Sequence, residues 1–238
     1  GSFQSYIDFS YEFPGALSNN GQGDVDFYIA WVDGNGTWQS VIGGGSHGFD
    51  RLESIEKLST GDIVVSGTYC YNTVGDECSL TLGELDPLNK TNADDDGNVF
   101  LARMSTDGIW LWATQIESSS GVFEFSLSVT NQDEIHLGAI FTGIIEFNGQ
   151  MIPGGEQPNL MVAIFDEQGQ PIYAVSAVSP QGIEYIGSLC IDELGNTYVT
   201  LTFFEEIIFD QIMLTGAGSA DVAIARYDPT GWLWAQSA

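Results

Sequence analysis

Carboxylates and a few cysteines, histidines and aromatic rings are the side chains of this chain with chemistry to offer. Asp94-Asp95-Asp96, beside Asn98, is the densest acidic run. Hard cations want several oxygen ligands close together, so these three aspartates are the candidate calcium ligands. Asp24, Asp26 and Asp221 hold analogous places, and Glu205-Glu206 with Asp210 forms another acidic turn. None matches the twelve-residue calcium loop, and a solvated acidic surface is the competing reading. Cys70 and Cys78 are close enough in sequence to close a small loop as a disulfide, which would place the chain in an oxidising compartment; two free thiols are the alternative. Cys190 reads as a small buried apolar residue. His47, in the Gly43 to Gly48 turn, and His136, in a strand, are the two histidines, and neither belongs to a triad motif. Gly43-Gly44-Gly45-Ser46 lacks the Lys-Ser/Thr of a phosphate loop and reads as a strand connection. With 33 acidic residues, neighbouring carboxylates arise by chance too often to mark a glycosidase. No catalytic residue is assigned.

The aromatics divide into a regular and an irregular set. Trp38, Trp112, Tyr173 and Trp234 follow one another at 74, 61 and 61 residues and read as packing residues of a repeat. Tyr69, Tyr71, Trp110 and Trp232 are the candidate ligand-binding rings, able to stack on a sugar or anchor a partner protein. Trp110 and Trp232 precede regular aromatics by two residues, which on a strand predicts a shared face.

These side chains are carried by a repeated frame. An Asp, a Gly-containing turn and an aromatic recur from Asp33-Gly34, Asp107-Gly108, Asp166 through Gly169, and Asp228 through Gly231. Around each lie alternating apolar segments: a first (Leu52 to Leu58; Phe123 to Val129; Ile183 to Ile191), a second (Asp62 to Gly67; Glu134 to Ala139; Asn196 to Leu201), a variable stretch, a third leading into the turn, and a fourth bearing the aromatic. Period-two alternation, β-branched residues and frequent turns predict four strands per unit and essentially no helix. Four-stranded units of roughly sixty residues in tandem predict an all-β fold, a β-propeller of about four antiparallel blades over residues 1–238, with units near 1–42, 43–116, 117–178 and 179–238. A β-solenoid is the main competitor.

Three segments carry a resemblance. Gly195-Asn196-Thr197-Tyr198-Val199-Thr200, Asp221 to Asp228 and Gly231-Trp232-Leu233-Trp234-Ala235 resemble the bacterial beta-propeller repeat often called the SBBP repeat. Its pattern runs through a "GNxYVTG" strand, a "DxFVAKYD" strand and a "GxxLWA" strand. Leu201 stands where the family has Gly, Tyr173 replaces the closing Trp, and the third strand at Leu160 lacks its Asp. The resemblance implies a secreted or surface protein and brings over no catalytic residue.

Net charge is −28, from 5 basic and 33 acidic residues. Such a field repels phosphate backbones and anionic membranes, excluding nucleic acid as a partner, and no apolar run is long enough to span a bilayer. Tyr6-Ile7-Asp8-Phe9-Ser10 aligns with a second strand without a first before it, and the chain reads as cut from a longer polypeptide, either a compact ring or an arc of a larger one. The expectation is a non-catalytic extracellular or cell-surface module that binds or adheres to a glycan or a protein, requiring no cofactor beyond calcium as a candidate ion. The alternatives are a spacer or assembly unit contacting copies of itself, and a carbohydrate-active enzyme.

Overall fold

The computed structural model describes residues 1–4, 6–8, 16–18, 25–73, 77–90, 97–228 and 230–238. Those residues are all-β, 67% of them in strands and none in a helix. The second unit pairs Phe49–Lys57, Ile63–Tyr71, Asn98–Met104 and Trp110–Ile116 antiparallel in chain order. The third does the same with Val122–Val129, Ile135–Phe147, Gln150–Phe165 and Pro171–Ala177, and the fourth with Ile183–Ile191, Thr197–Phe203, Asp221–Asp228 and Gly231–Ser237. In the first unit Ser2–Gln4, Val25–Val32 and Trp38–Gly44 pair, and one parallel contact, Val25 to Phe49, joins them to the second unit. Ser2–Gln4 therefore takes the place expected for Tyr6 to Ser10, whose described part, Tyr6–Asp8, instead pairs with Ala16–Ser18.

Alternation gives each sheet two apolar faces, and successive sheets bury them against one another. Phe27 and Ile29 of the first unit meet Val65, Phe100, Ala102 and Met104 of the second, with the Phe27 and Phe100 rings stacked at 5.6 Å. The other face of the second unit, through Val64, Val99 and Leu101, meets Leu137, Phe141, Met161 and Phe165 of the third. Ile140, Leu160, Val162 and Ile164 then meet Val199, Leu201, Phe203, Ala223 and Tyr227 of the fourth. Side chains on both faces of a central strand leave no polar face, which is why Asn98–Met104 reads as a nearly unbroken apolar run.

The turn before the fourth strand is built one way in the first three units. Asp33 Oδ1 accepts from the amides of Asn35 and Thr37, Ser105 Oγ from Asp107 and Ile109, and Asp166 Oδ1 from Gln168 and Gln170. The following glycines, Gly36, Gly108, Gly169 and Gly231, all have positive φ, which a side chain would strain. Ser105, not Asp107, thus fills the anchoring position in the second unit. Each fourth strand carries a bulge at the same place: Met104 pairs with Trp110 and Arg103 with Trp112, as Tyr227 pairs with Trp232 and Arg226 with Trp234. The extra residue turns the two tryptophans to opposite faces instead of one. Trp110 packs back against the first unit, whereas Trp112 packs forward against the third. Trp38, paired with Val32, matches Trp110 and Trp232, not Trp112 and Trp234.

A serine repeat also frames the units. Ser46, Ser118 and Ser179 are buried just beyond each fourth strand. Ser118 Oγ donates to Thr142 O, and Ser179 Oγ lies 2.8 Å from Gly182 O and 2.9 Å from Glu206 O, tying each strand exit to the next unit. The variable stretch in every unit holds a short hairpin: Tyr6–Asp8 with Ala16–Ser18, Ser79–Leu80 with Leu88–Asn89, the distal half of the Ile135–Phe147 and Gln150–Phe165 pair, and Glu206–Phe209 with Ile212–Thr215. Three of them bridge back to the preceding unit, through Gly45 to Thr81, Ser118 to Ile145 and Val178 to Ile208.

Candidate functional site

Of the four candidate rings, only Tyr71 faces solvent, at 47% exposure. Tyr69 is fully buried; its hydroxyl donates to Gln115 and lies 3.3 Å from Asn89 O, and burial raises its pKa. Trp110 is buried in the interface of the first two units. Trp232 packs edge-on to Phe209 at 4.8 Å and donates from Nε1 to Ser176 O. These three offer no open ring face to a ligand, because the bulges and the unit interfaces, invisible in a strand-by-strand reading, enclose them.

Tyr71 opens the insert of the second unit, the most heavily braced loop among the described residues. Cys70 and Cys78 are joined, with Cα atoms 6.0 Å apart. Thr73 Oγ1 donates to Cys70 O, Lys90 Nζ to Thr73 O at 2.5 Å, and Lys90 N to Cys78 O at 2.8 Å. Two adjoining polar recesses lie on this insert. One, of about 220 Å³, is lined by Gly45, Ser46, His47, Glu77, Ser79 and Thr81; the other, of about 470 Å³, by Glu77, Cys78, Ser79, Asn89 and Lys90. A carboxylate, an ammonium, hydroxyls, an amide and an imidazole thus border two recesses that share Glu77 and Ser79, on the insert that Tyr71 opens.

Beneath it sits Asp50, fully buried. It accepts from Ser46 N at 2.6 Å, Ser46 Oγ at 2.7 Å and Cys70 N at 3.0 Å, so one carboxyl ties the Gly-rich turn to the disulfide. Burial raises its pKa to about 7 against the opposing pull of those hydrogen bonds, and Asp26 adds to the rise. Sequence reading passed over Asp50 because one aspartate among 33 acidic residues carries no local signal.

Asp94, Asp95, Asp96 and Asp24 lie outside the described residues. Asp26 is buried against Gly45, where a Cβ would meet its carboxylate, and Asp221 Oδ2 accepts from the amides of Ala217 and Gly218. Asn159, at the same position of the third unit, accepts from Ser179 N at 2.8 Å. Asp221 and Asn159 latch the start of the third strand to neighbouring backbone, and Asn159 does so where the repeat pattern lacks its Asp. Glu205 and Asp210 occupy positive-φ turn positions. Among the described residues no group of three or more His, Cys, Asp or Glu side chains is placed to hold a metal ion.

His136 is buried between the third and fourth units with Nδ1 2.5 Å from Thr197 Oγ1, and burial lowers its pKa to about 4. Cys190, expected to be buried, is exposed: alternation sends Leu189 into the core and Cys190 to the opposite face. No protein-family model matches the chain, and no curated protein matches it.

Proposed function

We propose that the protein is a non-catalytic extracellular binding module whose four units are blades of a β-propeller, and that the braced insert of the second unit contacts a glycan. The polar recess on the insert that Tyr71 opens carries the reading. Sugar recognition combines an aromatic face for the apolar side of the ring with donors and acceptors for its hydroxyls, and Tyr71, Glu77, Ser79, Asn89 and Lys90 supply both kinds. Rigidity lowers the ordering cost of binding, and the disulfide with the Lys90 and Thr73 bonds supplies it. The disulfide and the resemblance to bacterial propeller repeats support the extracellular setting and the blade assignment.

A glycan array of the purified protein, with and without calcium, tests this reading. The expected result is reproducible binding to a related set of sugars that falls at least about tenfold in Tyr71→Ala and Glu77→Gln, the loss characteristic of an anchor side chain. The calcium arm reports on Asp94, Asp95 and Asp96. Folded protein that binds no sugar, or binding indifferent to both substitutions, would remove the glycan assignment.

A further inference from the structure

Arg103 and Trp112, opposite each other in the second unit, both reach into the third. Arg103 Nη1 and Trp112 Nε1 donate to the carbonyl of Glu167 at 2.9 and 3.1 Å. Glu167 lies in the Asp166 to Gly169 turn, and Gly169 approaches the Trp112 ring so closely that a Cβ would lie 2.7 Å from it. One unit thus grips the turn of the next by two donors and an indole.

The fourth unit repeats this grip with nothing in it among the described residues. Arg226 stands opposite Trp234, the register of Arg103 and Trp112. Arg226 Nε is buried with no hydrogen-bond partner among the described residues, and the guanidinium is held 5.8 Å from the Tyr198 ring centroid. Beside it Val222 and Ile224 are 53% and 39% exposed, whereas Val99 and Leu101, and Leu160 and Val162, at the same positions of the second and third units, are fully buried. The first unit presents the complement. Val32 is 52% exposed where its counterparts Met104, Phe165 and Tyr227 are buried. Its Asp33 to Gly36 turn has the hydrogen bonds of the Asp166 turn, with Gly34 in the place of Glu167 and open space around it.

We propose that two copies of this chain associate head to tail, the Asp33 to Gly36 turn and Val32 of one seating on Val222, Ile224, Arg226 and Trp234 of the other. The carbonyl of Gly34 accepts from Arg226 and Trp234 as that of Glu167 does from Arg103 and Trp112. A second copy is the occupant because both halves of the contact stand on the same chain, in the register of interfaces already formed within it. The contact stands apart from the glycan reading and joins unlike faces, so it either closes into a ring or propagates. With −28 on each copy, screening by salt strengthens it.

Sedimentation velocity over a concentration series, in moderate and in high sodium chloride, tests the proposal with Ile224→Arg and Val32→Arg, both at exposed positions and both lowering the net negative charge. The expected result is concentration-dependent association of the parent chain, at least tenfold weaker in either variant while circular dichroism and melting stay unchanged. A mixture of the two variants, which retains one intact head and one intact tail, is expected to restore a dimer and nothing larger. A parent chain that stays monomeric in both salts overturns the second-copy assignment and leaves the face to another occupant. Association unaffected by the substitutions, or a mixture that fails to dimerise, overturns the head-to-tail geometry.

Discussion

Asp50 shows how one side chain couples a surface recess to the pH of the medium. Its pKa near 7 lies above the ordinary aspartate value of about 3.9, so the folded chain holds a proton that the unfolded chain has released. That contribution is complete below about pH 4 and is lost as pH rises through 7, a loss on the order of 4 kcal/mol once Asp50 is ionised. Most other carboxylates are already ionised above about pH 5.5, which isolates the upper part of the window. Thermal melts of the parent chain and Asp50→Asn from pH 5.5 to about 8 are expected to show the parent losing stability relative to the variant as pH rises, the His136 contribution being common to both. Parallel curves would show that Asp50 titrates normally. Nothing in the sequence marks this residue, because its environment is assembled from Ser46 and Cys70, four and twenty positions away.

Among the elements, the strand quartets of the last three units were legible because their outer strands alternate, their central strands run apolar, and glycine or Asx turns separate them. The misreadings arose at irregularities of one or two residues. A bulge opposite Arg103 and Met104 reverses the phase of alternation, so Trp110 and Trp112 part company although their spacing predicts one face. Trp38 aligns with Trp110 because Ser105, not Asp107, is the counterpart of Asp33. The hairpin inserts lack a common pattern, and only the bridges from Gly45, Ser118 and Val178 reveal that they do one job. The insert of the second unit is pinned by a disulfide closing a short loop, worth roughly 2.5 kcal/mol by loop-closure entropy. Replacing Cys70 and Cys78 together by alanine is expected to lower the melting temperature and to weaken any sugar binding more than it weakens the fold. Differential scanning calorimetry beside a binding titration checks this; unchanged values in both would show that the Lys90 and Thr73 bonds suffice.

For the molecule as a whole, stability resides in interfaces between units, each built from two apolar sheet faces. His136 sits in the last of these, bonded to Thr197 across it. With its pKa lowered to about 4 by burial, the folded state resists protonation that the unfolded state accepts near 6.5. Its contribution is present above about pH 6.5 and disappears as pH falls through 4, so acid loosens the contact between the third and fourth units. In His136→Leu, unfolding curves are expected to show a loss of about 1 kcal/mol at pH 7.5, from the orphaned Thr197 hydroxyl, with a gain over the parent at pH 4.5. A variant that remains less stable at both pH values would refute the assignment.

By itself the sequence determined the all-β class, the tandem strands and the acidic surface, because alternation, turn chemistry and charge are properties of neighbouring residues. Only the tertiary structure decided which aromatics remain open, which carboxyl is buried and which grip is empty. Tyr69 and Tyr71 differ by two positions in one strand, yet packing encloses the first and leaves the second in solvent. Arg103 and Arg226 share a repeat position, and they differ in whether another unit lies against them. Burial depends on what a neighbouring sheet covers, and sheets sixty residues apart meet only in the folded chain.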